Sequence, residues 1–325
     1  MSEQNTVEAT IGQVEEYYQK TQDTLGKFIV GNRQVLDIVL TAIFANGHVL
    51  IEGVPGTAKT SIAKSIAHIS GCRFNRIQGA VDLQPADMLG VWIYDSTNKK
   101  FIPRFGPIFT NILLVDEINR INPKAQSAFI EAMSERQVTL DGVNTPLPSP
   151  FFVIATQNPH EFEGTFPLIE VQRDRFMFSL HTSHLESEEE LTIVRRASGG
   201  QLSLNEFESH IPPILDKTRL ETMIRAVQAV RIEEPVLEYI RDLVISARNH
   251  PDIDLGPSSR ASIAFVYGSR VQAAFSGRTY VIPDDVKVLV PYVFEHRINL
   301  TLGAKTEGVT TSEVVREIIE NTEVP

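Results

Sequence analysis

The sequence predicts an α/β fold: a parallel sheet covered by helices on both faces, followed by a smaller, all-helical unit. Two observations predict it. Short apolar runs without polar alternation, the mark of strands buried on both sides, alternate with helical patterns through the first half. Beyond residue 190 the pattern is helical throughout, punctuated by Pro235, Pro251, Gly256, Pro257, Gly277 and Pro283.

Taken in order, Val7, Ile11, Val14, Tyr18 and Leu25 recur at near-helical spacing among polar residues, so residues 7–27 predict an amphipathic leading helix. His48 to Glu52 reads as a strand that runs into a glycine-rich turn, and a helical pattern follows from Ser61 to Ile69. Pro85, Gly90, Trp92, Pro103, Gly106 and Pro107 make the next stretch too irregular for a helix, which predicts an insertion built as a hairpin. Trp92, Tyr94 and Phe101 are expected to pack within that insertion, the alternative being an exposed aromatic contact surface. Ile112 to Val115 predicts a second strand ending in two carboxylates, followed by a helix through Gln126, Phe129, Ile130 and Met133. Residues 137–150 carry an Asp141-Gly142 turn signal between extended pieces, a second hairpin. Phe151 to Ala155 is the third strand. The polar cluster His181 to Glu190 then marks the boundary, so the domains are expected at 1–185 and 186–325, the latter with helices near 215–231, 236–249, 259–276, 284–297 and 311–321.

Bulk properties narrow the function. The 30 basic and 41 acidic residues give a net charge of -11, which disfavours nucleic acid as a general partner. Cys72 is the single cysteine, excluding an intrachain disulfide, and reads as a small buried residue. With no basic start and apolar core at the Met1 end, the expectation is a reduced, cytoplasmic protein. No apolar run approaches the roughly 20 residues that span a bilayer, so direct membrane insertion is not expected.

Several residues carry chemistry. Gly53-Val54-Pro55-Gly56-Thr57-Ala58-Lys59-Thr60 lies between strand and helix, where backbone N–H groups and a helix N-terminus can wrap phosphate oxygens. Lys59 is then expected at the terminal phosphates and Thr60 at magnesium. Asp116 and Glu117, ending the second strand, supply one carboxylate to hold the metal through water and one to orient an attacking water. Asn158, ending the third strand, suits an amide contact to the terminal phosphate and the water. Arg173 and Arg175 place two permanent cations close together, and a planar guanidinium suits developing phosphoryl charge. Arg260, in the first turn of a second-half helix, is expected to reach phosphate across a domain cleft. His181 and His184 are three apart with no cysteine near and read as solvated side chains, not zinc ligands.

The motifs EGVPGTAKT, GPIFTNILLVDEINR, PKAQSAFIEAMSERQVTLDG, ATQNP and EVQRDRF, resumed by GPSSRAS, GRTYVIPDDV and FEHRI, resemble the MoxR family of AAA+ ATPases. Ala58 is the residue that family usually carries. The resemblance implies a P-loop αβα domain with an insertion in its second helix, a hairpin before the third-strand motif and a helical lid. It further implies that Gly53 through Ser61 bind nucleotide, that Lys59 and Thr60 are the Walker A pair, and that Asp116 and Glu117 are the Walker B pair. Asn158 becomes sensor 1, Arg175 the trans-acting finger with Arg173 as its alternative, and Arg260 sensor 2; Val30 and Gly31 lie beside the adenine. Ile169 and Arg173 depart from the family, which commonly has proline and leucine there. The resemblance implies ATP and magnesium as cofactors, a homo-oligomeric ring, hexameric in the family, and a partner bearing a von Willebrand factor A domain. The function expected is ATP hydrolysis coupled to chaperone-like maturation of partner complexes, with the nucleotide between the two domains. The alternatives are a nucleotide-gated binding module with little turnover and, less in keeping with the acidic charge, a DNA-acting motor.

Overall fold

A computed structural model describes residues 3–53, 59–158, 164–182, 185–199 and 211–325. In the first half, β1 (Val49–Gly53), β2 (Phe74–Gln78), β5 (Ile112–Asp116), β8 (Phe152–Gln157) and β9 (Phe178–Thr182) form one parallel sheet in the order β2-β5-β8-β1-β9. Being parallel, the strands all end at the same edge.

Alternation along each strand divides the sheet into two cores. Val49, Ile51, Ile112, Leu114, Phe152 and Ile154 face one way, onto α2 (Arg33–Phe44) and α3 (Lys59–Ile69). Leu50, Leu113, Val115, Val153 and Ala155 face the other, where Phe129, Ile130 and Met133 of α5 (Pro123–Glu135) cover them. Helix α5 starts cleanly because Asn122 Oδ1 accepts from Ala125 N at 3.0 Å and Pro123 occupies the first turn; Arg136, at φ 53°, ends it.

Two hairpins project from the second core. The insertion holds the short helix α4 (Pro85–Leu89) and the antiparallel pair β3 (Gly90–Asp95) and β4 (Lys100–Phe105). Strands β6 (Gln137–Leu140) and β7 (Val143–Pro146) pair across Asp141 and Gly142, both at positive φ, as an Asp-Gly turn of this hand requires. The expected core packing of the insertion aromatics fails at two of three. Trp92 is half-buried, its indole N–H on Leu140 O, but Tyr94 and Phe101 are 57% and 65% exposed, packing mainly on one another. By alternation Trp92 and Tyr94 share a face of the ribbon, but Tyr94 and its cross-strand partner Phe101 lie nearer the tip, beyond the contact with Leu140.

The remaining helices in the first half are α1 (Glu3–Gly26), α6 (Glu170–Arg173) and α7 (Ser187–Ser198). The second half adds α8 (Lys217–Gln228), α9 (Glu234–Asn249), α10 (Ser259–Phe275), α11 (Pro283–Lys287), α12 (Val290–Phe294), α13 (Leu302–Glu307) and α14 (Thr311–Asn321), with a small ladder of β10 (Ile253–Leu255) and β11 (Asn299–Leu300). The single helix expected over 284–297 is two short ones. Pro291 has no N–H to continue the first.

Helix α1 crosses between halves: Ile11, Val14 and Tyr17 are buried in the same core as α8 and α10, and Tyr18 stacks on Phe275 at 4.1 Å. The first core is therefore continuous from the sheet into the helical unit. Cys72 is partly buried against it, and desolvation raises its thiol pKa to about 11, in keeping with an inert small side chain. Among the described residues no helix is long and apolar enough to cross a membrane.

Candidate functional site at the two edges of the sheet

The carboxyl edge gathers the residues of the phosphate and carboxylate motifs. Lys59 opens α3, and its Nζ donates to Gly53 O at 3.0 Å, folding back over the end of β1. Burial lowers the Lys59 pKa while Asp116 raises it, so the ammonium lies within the field of that carboxylate. Thr60 and Ser61 follow in the first turn of α3. Val54, Pro55, Gly56, Thr57 and Ala58 lie outside the described residues.

Two strands away, Asp116 is held from both sides. Thr156 Oγ1 donates to its Oδ1 at 2.6 Å and Arg76 reaches its Oδ2 at 2.6 Å. Thr156 Oγ1 also accepts from Glu117 N at 3.0 Å, so one hydroxyl fixes both acidic residues. Glu117 sits at φ 56°, a left-handed conformation that strains a residue with a side chain. Its carboxylate accepts from Gln78 Nε2 at 2.9 Å and from Arg120 at 3.2 Å. Gly79 permits this arrangement. A Cβ there would stand 2.1 Å from Glu117 O, and Gly79 N already donates to Asp116 O at 2.7 Å. Asn158 follows β8 at the same edge, its carbonyl accepting from Asn119 Nδ2 at 3.2 Å.

Val30 and Gly31 border this edge as well. Gly31, at φ 65°, is pressed against Leu185, three residues beyond the end of β9; an added Cβ would come within 2.7 Å of Leu185 Cδ2. A recess of about 300 Å³ opens there between Ile29, Gly31, Leu36 and Glu189.

The amino edge carries different residues. Asp174, Arg175 and Phe176 come just before β9, and His48 just before β1. Arg175 donates to Ser134 Oγ at 2.7 Å at the rim of a recess of about 360 Å³, into which Arg136, Arg260 and Arg297 also face. Four arginines and two acidic residues, Glu135 and Asp174, line it, with Asp174 paired to Arg260 and Arg297, in a chain whose net charge is -11. Arg173 turns elsewhere: its guanidinium approaches Asn299 Oδ1 at 3.4 Å, and its buried Nε has no partner among the described residues.

Arg260 departs from expectation. It does not reach toward Lys59 across a cleft of its own chain; it pairs with Asp174 at 3.1 Å, at the amino edge, because Ser258 and Arg260 dock the start of α10 on that carboxylate. A strand of five residues, at about 3.3 Å each, puts roughly 15 Å between the two edges. Lys59, Asp116, Glu117 and Asn158 thus share one edge, and Arg175 and Arg260 the other.

Sequence reading missed Arg76, Gln78, Thr156, Arg120, Asp174 and Arg297. Only the strand order brings the first three to Asp116 and Glu117. Asp174 lay inside the EVQRDRF motif and Arg297 inside FEHRI, but nothing local told that they pair. Of the two histidines, His181 is exposed, 3.8 Å from Glu52 and 3.7 Å from Glu295, and His184 lies outside the described residues.

Comparison with known proteins agrees with this architecture. The profile of the ATPase family associated with various cellular activities (AAA) matches residues 48–178, and that of the AAA lid domain matches residues 245–318. The chain is 43% identical over 310 residues to the uncharacterized protein YeaC of Bacillus subtilis, covering 94% of each. It is 36% identical over 312 residues to Chaperone MoxR1 of Mycobacterium tuberculosis, covering 92% of this chain and 80% of that one. A crystal structure from Cytophaga hutchinsonii, described as a candidate ATPase, superposes with a TM-score of 0.91 at 34% identity and covers 100% of both chains. With a parallel αβα sheet, a helical lid and relatives at these identities over nearly its whole length, the chain belongs to the MoxR family of AAA+ ATPases.

Proposed function

We propose that the chain hydrolyses ATP at sites completed between neighbouring subunits of a ring. The observation that carries this reading is the division between the two edges: the phosphate and carboxylate residues stand at one, and Arg175 and Arg260 at the other. One copy cannot bring both to the same phosphate. A second copy can.

In this reading Gly53 through Ser61 hold the phosphates, with Lys59 leaving Gly53 O to meet them, and Val30 and Gly31 flank the adenine. The oxygen donors of Thr60 and Asp116 suit a hard cation, and the magnesium they would hold neutralises phosphate charge. Asp116 fits this role because Thr156 orients one of its oxygens while the other pairs with Arg76, a half-exposed side chain that can swing away. Glu117, released from Gln78 and Arg120, orients the attacking water and accepts its proton, and Asn158 fixes the water's position. Arg175 of the neighbour then stabilises charge on the transferring phosphoryl group, with Arg260 beside it.

The name of the relative Chaperone MoxR1 supports a chaperone-like use of this turnover, remodelling partner protein complexes, and the family resemblance supports a von Willebrand factor A domain protein as partner. The single cysteine fits a cytoplasmic location. The decisive experiment is ATPase rate against protein concentration, with assembly followed in parallel. A specific activity that climbs with assembly supports shared sites; a rate flat with concentration while assembly changes overturns them. A nucleotide-gated module would instead bind partner in proportion to ATP occupancy, unaltered when Glu117→Gln removes turnover.

A further inference from the structure

The loop that carries Arg175 is not held by its own domain alone. Arg297, just beyond α12 in the lid, has a side chain only 2% exposed, and four of its five hydrogen bonds end on Asp174, Phe176 and Met177 of this loop, the fifth on Val293 of α12. Its Nε donates to Asp174 Oδ1 at 2.9 Å; one terminal nitrogen donates to Met177 O at 3.1 Å and Val293 O at 2.7 Å; the other donates to Asp174 O at 3.3 Å and Phe176 O at 2.6 Å. Five N–H groups make five hydrogen bonds, the full capacity of a guanidinium. The carbonyls immediately before and after Arg175 fall on the same nitrogen. His296 adds a contact to Phe176 O at 3.1 Å. Asp174 returns the charge and receives Ser258 and Arg260 as well, so one carboxylate ties together the loop of Arg175 and the helix start of Arg260.

Resting on the shared-site reading above, we infer that Arg297 is a positioning residue that, with Asp174, sets where a subunit presents Arg175 and Arg260 to its neighbour. A lysine cannot replace it, because a single ammonium has three donors and no fixed plane to span both flanking carbonyls. The effect of losing it falls on the neighbour's turnover and leaves the subunit's own nucleotide site intact, since the contacts lie at the far edge of the sheet from Lys59 and Glu117.

Mixed assemblies test this. Glu117→Gln chains keep the finger and cannot hydrolyse; Arg175→Ala chains keep the hydrolytic edge and need a neighbour's finger. Mixing them restores turnover where the first flanks the second. Arg297→Lys is then placed in one partner at a time. In the Glu117→Gln chain it is expected to lower the restored rate tenfold to about a hundredfold, the scale of a misplacement of about 1 Å. In the Arg175→Ala chain it is expected to change the rate less than about twofold, with ATP affinity unchanged by fluorescence titration. Asp174→Asn, nearly isosteric, is run in the same two placements, and it decides the matter if Arg297→Lys does not assemble. Loss in both placements makes the pair a general folding element and overturns the inference, as does loss in neither. If the parent mixture restores nothing, the shared-site reading fails first and the inference falls with it.

Discussion

Gln78 donates its side-chain amide to Glu117 Oε2 at 2.9 Å, tying the last residue of β2 to the carboxylate that follows β5. With Arg120 on the same oxygen, Glu117 is occupied by the protein itself. Both contacts are partly exposed, so each holds the side chain only modestly. Gln78→Ala is expected to raise the ATPase rate of dilute chains severalfold and to narrow the difference between dilute and assembled rates. A steady-state assay at several protein concentrations reads this directly; an unchanged or lower dilute rate would deny Gln78 a restraining role.

Gly79 is the tightest point behind the two acids. A methyl group there meets Glu117 O and Asp116 O, backbone atoms with little room to yield. Gly79→Ala should cost about 1 to 3 kcal/mol of stability from overpacking. It should also shift Glu117 enough to depress kcat, while ATP still binds. Thermal unfolding together with a kcat and KM determination separates the two effects; wild-type kcat with a lowered melting temperature would show that the acids tolerate the shift.

The two arginines at the amino edge are expected to differ in size of effect. Arg175→Ala should reduce turnover of the assembled protein on the order of a thousandfold, as for a finger supplied by a neighbour. Arg260→Ala should reduce it less and cost under about 1 kcal/mol of stability, since its pair with Asp174 is half-exposed. Equal, small effects from both would argue against Arg175 as the finger.

Acid stability should report His48. Val153 N donates to its Nδ1 at 3.1 Å, so the neutral ring carries its proton on Nε2, which points to Met133 O. Burial, with Arg136 nearby, lowers its pKa to about 3. The folded ring therefore stays neutral where the unfolded one takes a proton. His48 costs nothing above the unfolded pKa near 6.5, and stability falls as pH drops below it, down to about 3, by up to roughly 1.4 kcal/mol per pH unit. His296, buried and lowered likewise by desolvation, adds to the same slope. Denaturant titrations between pH 7 and 4 should show a shallower pH slope in His48→Gln than in the parent; identical slopes would deny the histidine this role.

Much of this architecture was legible because it is local. The strands at Val49, Ile112 and Phe152 are apolar runs buried on both faces, and Lys59, Asp116 and Glu117 follow two of them within a few residues. Strand β2 left little trace: of Phe74 to Gln78 only Ile77 is buried, because the strand lies at the sheet edge. Strand β9 was not expected; its last two residues, His181 and Thr182, fall in the polar cluster read as the boundary. Arg76, Gln78 and Thr156 surround the acids only because β2 and β8 flank β5, and strand order is not a local property. The place of Arg260 was misjudged for the same reason. Its helix start is settled by Asp174, a residue 86 positions away.

The two-edged arrangement also restricts the symmetry of any assembly. On the shared-site reading, each copy offers one half of a site at each end of its sheet, so copies that complete sites would associate head to tail through unlike surfaces. A two-fold dimer, pairing like with like, would complete no site at all. An open head-to-tail chain always leaves one unfinished half at each terminus, and only closure of the circle removes both. Per-subunit activity would then keep rising until the last junction closes, which makes closure itself the event that any partner or nucleotide could govern.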